Sequence, residues 1–133
     1  MSTKTENHAE QQAKAQTDSI VDMIRALNKA LEDRDNNAEE TARDAIQEDP
    51  LSIQIRDGWR TPGGESTPEE FEILLCTGGP AVRIVGDLDS HCEPSRPRLQ
   101  YQDWGTSWTE YHDISKEQRE ALLAYCQQFY FGE

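Results

Sequence analysis

His91 and Cys92 adjoin, and a thiol beside an imidazole is the simplest source of a cysteine nucleophile, because the thiolate needs a nearby base to form. Adjacency in sequence does not set a working geometry, and no third residue completes a catalytic set, so both read as loop residues. The same pair, with His112 and Asp113, supplies the chain's candidate metal ligands. Structural zinc sites bring their ligands in closely spaced pairs; neither pair here has that spacing, and no metal or cofactor is expected. Cys76, Cys92 and Cys126 form no C-x-x-C motif. Cys76 and Cys126 fall inside regular elements, where a reduced thiol behaves as a small apolar side chain. The run Thr77-Gly78-Gly79-Pro80 has the glycines of a phosphate cradle, but such loops lead from a strand into a helix. Here Ala81 to Val85 continues as a strand, so the glycines mark a hairpin turn.

Two other constellations carry more weight. Tyr101, Asp103, Trp104, Trp108, Glu110 and His112 interleave aromatic and titratable groups, and Trp59 would extend the platform. Carboxylates beside indole rings suit sugar or peptide recognition, or hydrolysis by a carboxyl pair. The competing reading packs Trp104 and Trp108 on the sheet edge, with Asp103 and Glu110 facing water. The second constellation is acidic. Glu40, Asp44 and Glu48 stand at i, i+4 and i+8, with Glu39 and Asp49 beside them. Like charges at that spacing weaken a helix by about 0.2–0.5 kcal/mol per pair. The stripe is either a solvated face or a docking surface for a basic partner.

Charge sets the frame for both. The chain has 133 residues, with 13 Lys+Arg against 26 Asp+Glu and a net charge of −13. Between Glu32 and Asp49, 8 acids face only Arg34 and Arg43, nearly half of that excess. An acidic balance disfavours direct contact with nucleic acid or an anionic membrane surface. No apolar run approaches the roughly 20 residues that span a bilayer. Met1 to Thr17 lacks the apolar core of a signal peptide, which makes the cytoplasm the expected compartment.

The elements that must position these residues follow from periodicity. Residues 1–16 hold no large apolar side chain beyond Met1 and read as a flexible tail or frayed helical lead-in. Residues 17–133 read as one domain. Ile20, Ile24, Leu27 and Leu31 make a helical stripe, and a second helix runs from Ala38 to Glu48 with Ala42, Ala45 and Ile46 as its thin buried edge. From Leu51 the period is two: Leu51, Ile53 and Ile55 mark a half-buried strand. Further strands follow over Glu70–Thr77, Ala81–Leu88 and Arg98–Trp104, after a loop at residues 89–97, with a short fifth reaching Tyr111. Ser115 and Gln118 form a capping box for a last helix with Leu122, Tyr125, Cys126, Phe129 and Tyr130 on its apolar face. The expected fold is α+β: a helical pair, a four- to five-stranded antiparallel meander, and a C-terminal helix on one sheet face.

The segments Glu70–Gly86 (EFEILLCTGGPAVRIVG), Tyr101–Tyr111 (YQDWGTSWTEY) and Phe129–Glu133 (FYFGE) resemble small acidic accessory proteins encoded by phages, plasmids and integrated elements of proteobacteria. The resemblance covers about residues 17–133 and carries no catalytic residues with it. It implies a setting in which small acidic proteins often act as non-enzymatic inhibitors of host defence, of the anti-CRISPR or antirestriction type. The leading expectation is therefore a binding protein that uses Glu39, Glu40, Asp44, Glu48 and Asp49 to occlude a basic surface, such as a nucleic-acid channel. A small-ligand, sugar or peptide module, or a small hydrolase, built on the tryptophan surface is the alternative, and a homodimer through the weak second helix is a third.

Overall fold

The computed structural model describes residues 3–65, 68–77, 80–103 and 107–131, with side chains from residue 8 onward. Helices α1 (Thr3–Glu32) and α2 (Asn36–Glu48) precede five strands, β1 (Ser52–Asp57), β2 (Pro68–Cys76), β3 (Ala81–Leu88), β4 (Pro94–Gln102) and β5 (Thr109–Glu110); α3 (Lys116–Cys126) follows. The strands pair antiparallel in chain order as one sheet, and the fold is α+β. Helix α1 lies over β3 and β4 and α3 over β4, while α2 packs on α1. The Gly78-Gly79 turn lies outside the described residues.

The core forms where strand and helix periodicities meet. Phe71, Ile73 and Leu75 of β2, Val82, Ile84 and Leu88 of β3, and Leu99 of β4 point to the helical side. Ile20, Ile24 and Leu27 of α1 and Leu122, Tyr125 and Cys126 of α3 meet them. The capping box at α3 is formed: the Ser115 hydroxyl accepts from the Gln118 N–H at 3.1 Å, and Gln118 Oε1 accepts from the Ser115 N–H at 2.8 Å.

Several expectations are corrected. Helix α1 begins at Thr3, not Thr17, and Ala9, Ala13 and Thr17 are fully buried. Alanines at i and i+4 carry little hydrophobic signal, yet they let the helix backbone approach the sheet closely; the side chains of Gln12 and Gln16 reach the Cys76 thiol. Thr17, the one buried polar residue among those described, donates its hydroxyl to the Ala13 carbonyl at 2.8 Å. Leu31, Ala45 and Tyr130 are exposed, and Phe131 takes the buried place expected of Tyr130. Strand β4 starts at Pro94 because Asp89 closes the preceding loop early, its carboxylate accepting N–H bonds from His91 and Glu93. Those two bonds hold the Asp89 carboxyl below the usual carboxylate range. Every residue of β1 is exposed, because no helix among the described residues packs over that edge.

Candidate functional site: the solvent face of α2 and the open face of the sheet

Helix α2 has little to hold it by burial. Only Ala42 and Ile46 are buried, so polar contacts at its two ends fix its position. Asp35 caps the N-terminus, its carboxylate accepting from the Ala38 N–H at 3.1 Å. Arg43 pairs with Glu39 at 2.9 Å and donates to Gln128 Oε1 at 2.8 Å, and Gln47 donates to the Gln128 carbonyl at 2.6 Å. The Tyr125 hydroxyl donates to Asp49 at 2.7 Å. Of the five acidic candidates, Glu39 and Asp49 are therefore spent on internal bonds. Glu40, Asp44 and Glu48 are exposed and have no ion-pair or hydrogen-bond partner among the described residues. At about 100° per residue they fall on the side of α2 opposite Ala42 and Ile46.

The aromatic candidates are dispersed. Trp59 follows the edge strand β1 and is fully exposed. Trp108 precedes the opposite edge strand β5, so the width of the sheet separates the two, about 19 Å at the usual strand spacing. Trp104 lies outside the described residues. Glu110 and His112 approach to 3.8 Å at the β5 edge, with His112 exposed, and Asp103 is partly buried one residue past β4. The single platform expected of these residues is not assembled: Trp59 stands apart from the group around Trp108.

What the sheet does present is a shallow depression of about 520 Å³ on the face away from the helices. Arg56, Glu70, Glu72, Arg83, Arg98 and Gln100 supply its polar groups. Arg83 stacks over the Trp108 ring at 4.1 Å and donates to Glu72 at 2.6 Å and Gln100 at 2.9 Å; Arg56 is paired with Glu70. Arg98 is half-buried and makes no ion pair among the described residues. A second hollow shares Arg56 and Glu70 and reaches Trp59. As a group these arginines are hidden in the sequence, because they lie on three strands. Their signal was the period-two alternation of Arg56 with Ile55, Arg83 with Val82 and Ile84, and Arg98 with Leu99.

The nucleophile candidates are spread through the fold. Burial pushes the Cys126 thiol up, and it pushes Cys76 up in part. Cys92 sits in the Asp89 turn with positive φ, and its N–H is bonded to the Asp89 carbonyl. Among the described residues no group of three or more His, Cys, Asp or Glu side chains could hold a metal ion, and no helix is long and apolar enough to cross a membrane. Comparison with protein-family models, with curated proteins and with solved structures returns no match.

Proposed function

We propose that this chain is a non-enzymatic binding protein that covers a basic surface of a protein partner with Glu40, Asp44 and Glu48. One observation carries the reading: these three carboxylates form a row without counter-ions among the described residues, on a helix held in place by Arg43 and Gln47 beside the row and by Asp49 at its C-terminus. Charges on the open sheet face, by contrast, largely satisfy one another. A nucleic-acid channel of a defence nuclease is the kind of surface the row suits, in keeping with the resemblance to proteins of mobile elements. The imitation is of one strand's edge only. Carboxylates one turn apart lie about 6 Å from each other, against one phosphate per 3.4 Å or so along a DNA strand.

The test is capture of a partner from host lysate by the wild-type chain and by the Glu40→Gln, Asp44→Asn, Glu48→Gln triple variant. At roughly 0.2–1 kcal/mol per exposed pair, the triple change weakens binding about 3- to 100-fold. Binding should also weaken with salt, because exposed charges are screened beyond about 8–10 Å. Unchanged capture by the triple variant removes the electrostatic role.

A second reading is favoured by Arg98. A half-buried guanidinium without a counter-ion among the described residues, in a depression beside Arg83 and Trp108, suits a ligand carboxylate. Titration with short acidic peptides, with Arg98→Gln as the control, checks it.

A further inference from the structure

Strand β1 leaves the core face of the sheet unfinished. Its register sets Ile53 opposite Ile73 and Ile55 opposite Phe71, so both point to the side the helices cover over β3 and β4. Over β1 that cover is missing: Leu51, Ile53 and Ile55 are 59%, 38% and 46% exposed. Phe131 closes the core one strand further in, against Phe71 at 5.0 Å. The outer backbone of β1 is open as well. The Tyr111 N–H bonds to the Leu99 carbonyl, which turns the polar groups of Arg98 and Gln100 towards β3. Followed through the pair registers, the alternation turns Ile84 towards β2, and Glu72 and Leu74 towards β1. The N–H and C=O of Ile53 and Ile55 then point away from the sheet. An exposed edge of this kind is a template for another strand; β1 has neither Lys nor Pro, and its two charges, Arg56 and Asp57, stand at its C-terminal end.

We propose that β1 pairs antiparallel with β1 of a second copy about a two-fold axis through Gln54, joining two five-stranded sheets into one. In that register Ile53 faces the partner's Ile55 and Arg56 faces the partner's Ser52, so the isoleucines of the two copies meet and no like charges oppose. Centring the axis on Ile55 would set Asp57 against the partner's Ile53, and centring it on Ile53 would set Ile55 against the partner's Leu51, whose N–H is already bonded to the Leu74 carbonyl. The Gln54 axis alone sets both isoleucines of each copy against isoleucines of the other, and like any two-fold contact it is self-complementary. Trp59, fully exposed just beyond β1, adds apolar area toward the roughly 800 Å² per partner of a specific interface. The pairing does not depend on the role given to α2.

Sedimentation and light scattering over a concentration series should show a reversible shift from the 15.2 kDa chain to twice that mass. The dimer should tighten with added salt, as repulsion between two copies of charge −13 is screened; docking through α2 has the opposite salt dependence. Ile55→Lys leaves far-UV dichroism unchanged, because Ile55 is exposed, and weakens the dimer about tenfold or more. In a Cys92→Ser background, Gln54→Cys should cross-link under oxidation. Ser52→Cys should not, because in this register the two Ser52 residues stand four positions apart, about 14 Å along the strand. A monomer at every concentration, a dimer indifferent to Ile55→Lys, or equal cross-linking at both cysteines overturns the proposal. The first outcome would leave β1 to a strand of a different protein.

Discussion

Burial, and then the hydrogen bond to Asp49, raise the Tyr125 phenol above its ordinary value, so the fold holds the neutral form. A raised pKa means that this contribution is complete below the unfolded value near 10 and is lost as pH rises beyond it. Tyr125→Phe should cost about 1 kcal/mol at neutral pH and flatten the alkaline loss of stability, both read from denaturant melts across pH. Gly86 works by absence. A Cβ there would stand 2.7 Å from the Phe71 ring and 2.8 Å from the Ser95 carbonyl, which is backbone and cannot step aside. Gly86→Ala should therefore destabilise by about 1–3 kcal/mol, as overpacking does. Thiol titration gives a third check at this scale: Cys126 should stay unreactive until the chain unfolds, while Cys92, half-exposed in its turn, reacts in the native state.

At the scale of elements, caps and small residues do more than propensity. Ser115→Ala removes half of the capping box and should cost about 1 kcal/mol, measured as a lowered Cm at unchanged m. Deleting residues 1–16 should lower the melting temperature, because Ala9 and Ala13 are buried in the fold; an unchanged melt would show that this stretch contributes nothing. The deletion also marks where the sequence was hard to read. Large apolar residues at helix or strand spacing made α3, the middle of α1 and strands β2 to β4 legible, and a capping box was visible at Ser115. Alanine gives almost no signal, so the first half of α1 was invisible as a packed element. Burial also depends on what lies above a strand: Ile53 and Ile55 alternate correctly, yet no helix reaches them. The acidic row was legible because i, i+4, i+8 spacing needs only one helix, whereas the arginine face needed the register of three strands.

For the whole molecule, the central question is whether its negative charge acts as a placed surface or as a general coat. Both the number and the location are fixed: a net −13, with 8 acids against two arginines between Glu32 and Asp49. Helices over one face leave α2 outermost on the helical side, packed on α1 rather than on the sheet. Its carboxylates are then presented without competition from the arginines of the opposite face. A general coat would respond to any loss of charge; a placed surface would respond only to loss from α2. The direct measurement is capture from host lysate by three proteins: wild type, Glu40→Gln/Asp44→Asn/Glu48→Gln, and a charge-matched control, Glu65→Gln/Glu93→Gln/Glu120→Gln, altered at exposed sites elsewhere. The control should retain the partner, and the α2 variant should lose it about 3- to 100-fold. Equal capture by all three, or equal loss in both variants, would contradict it.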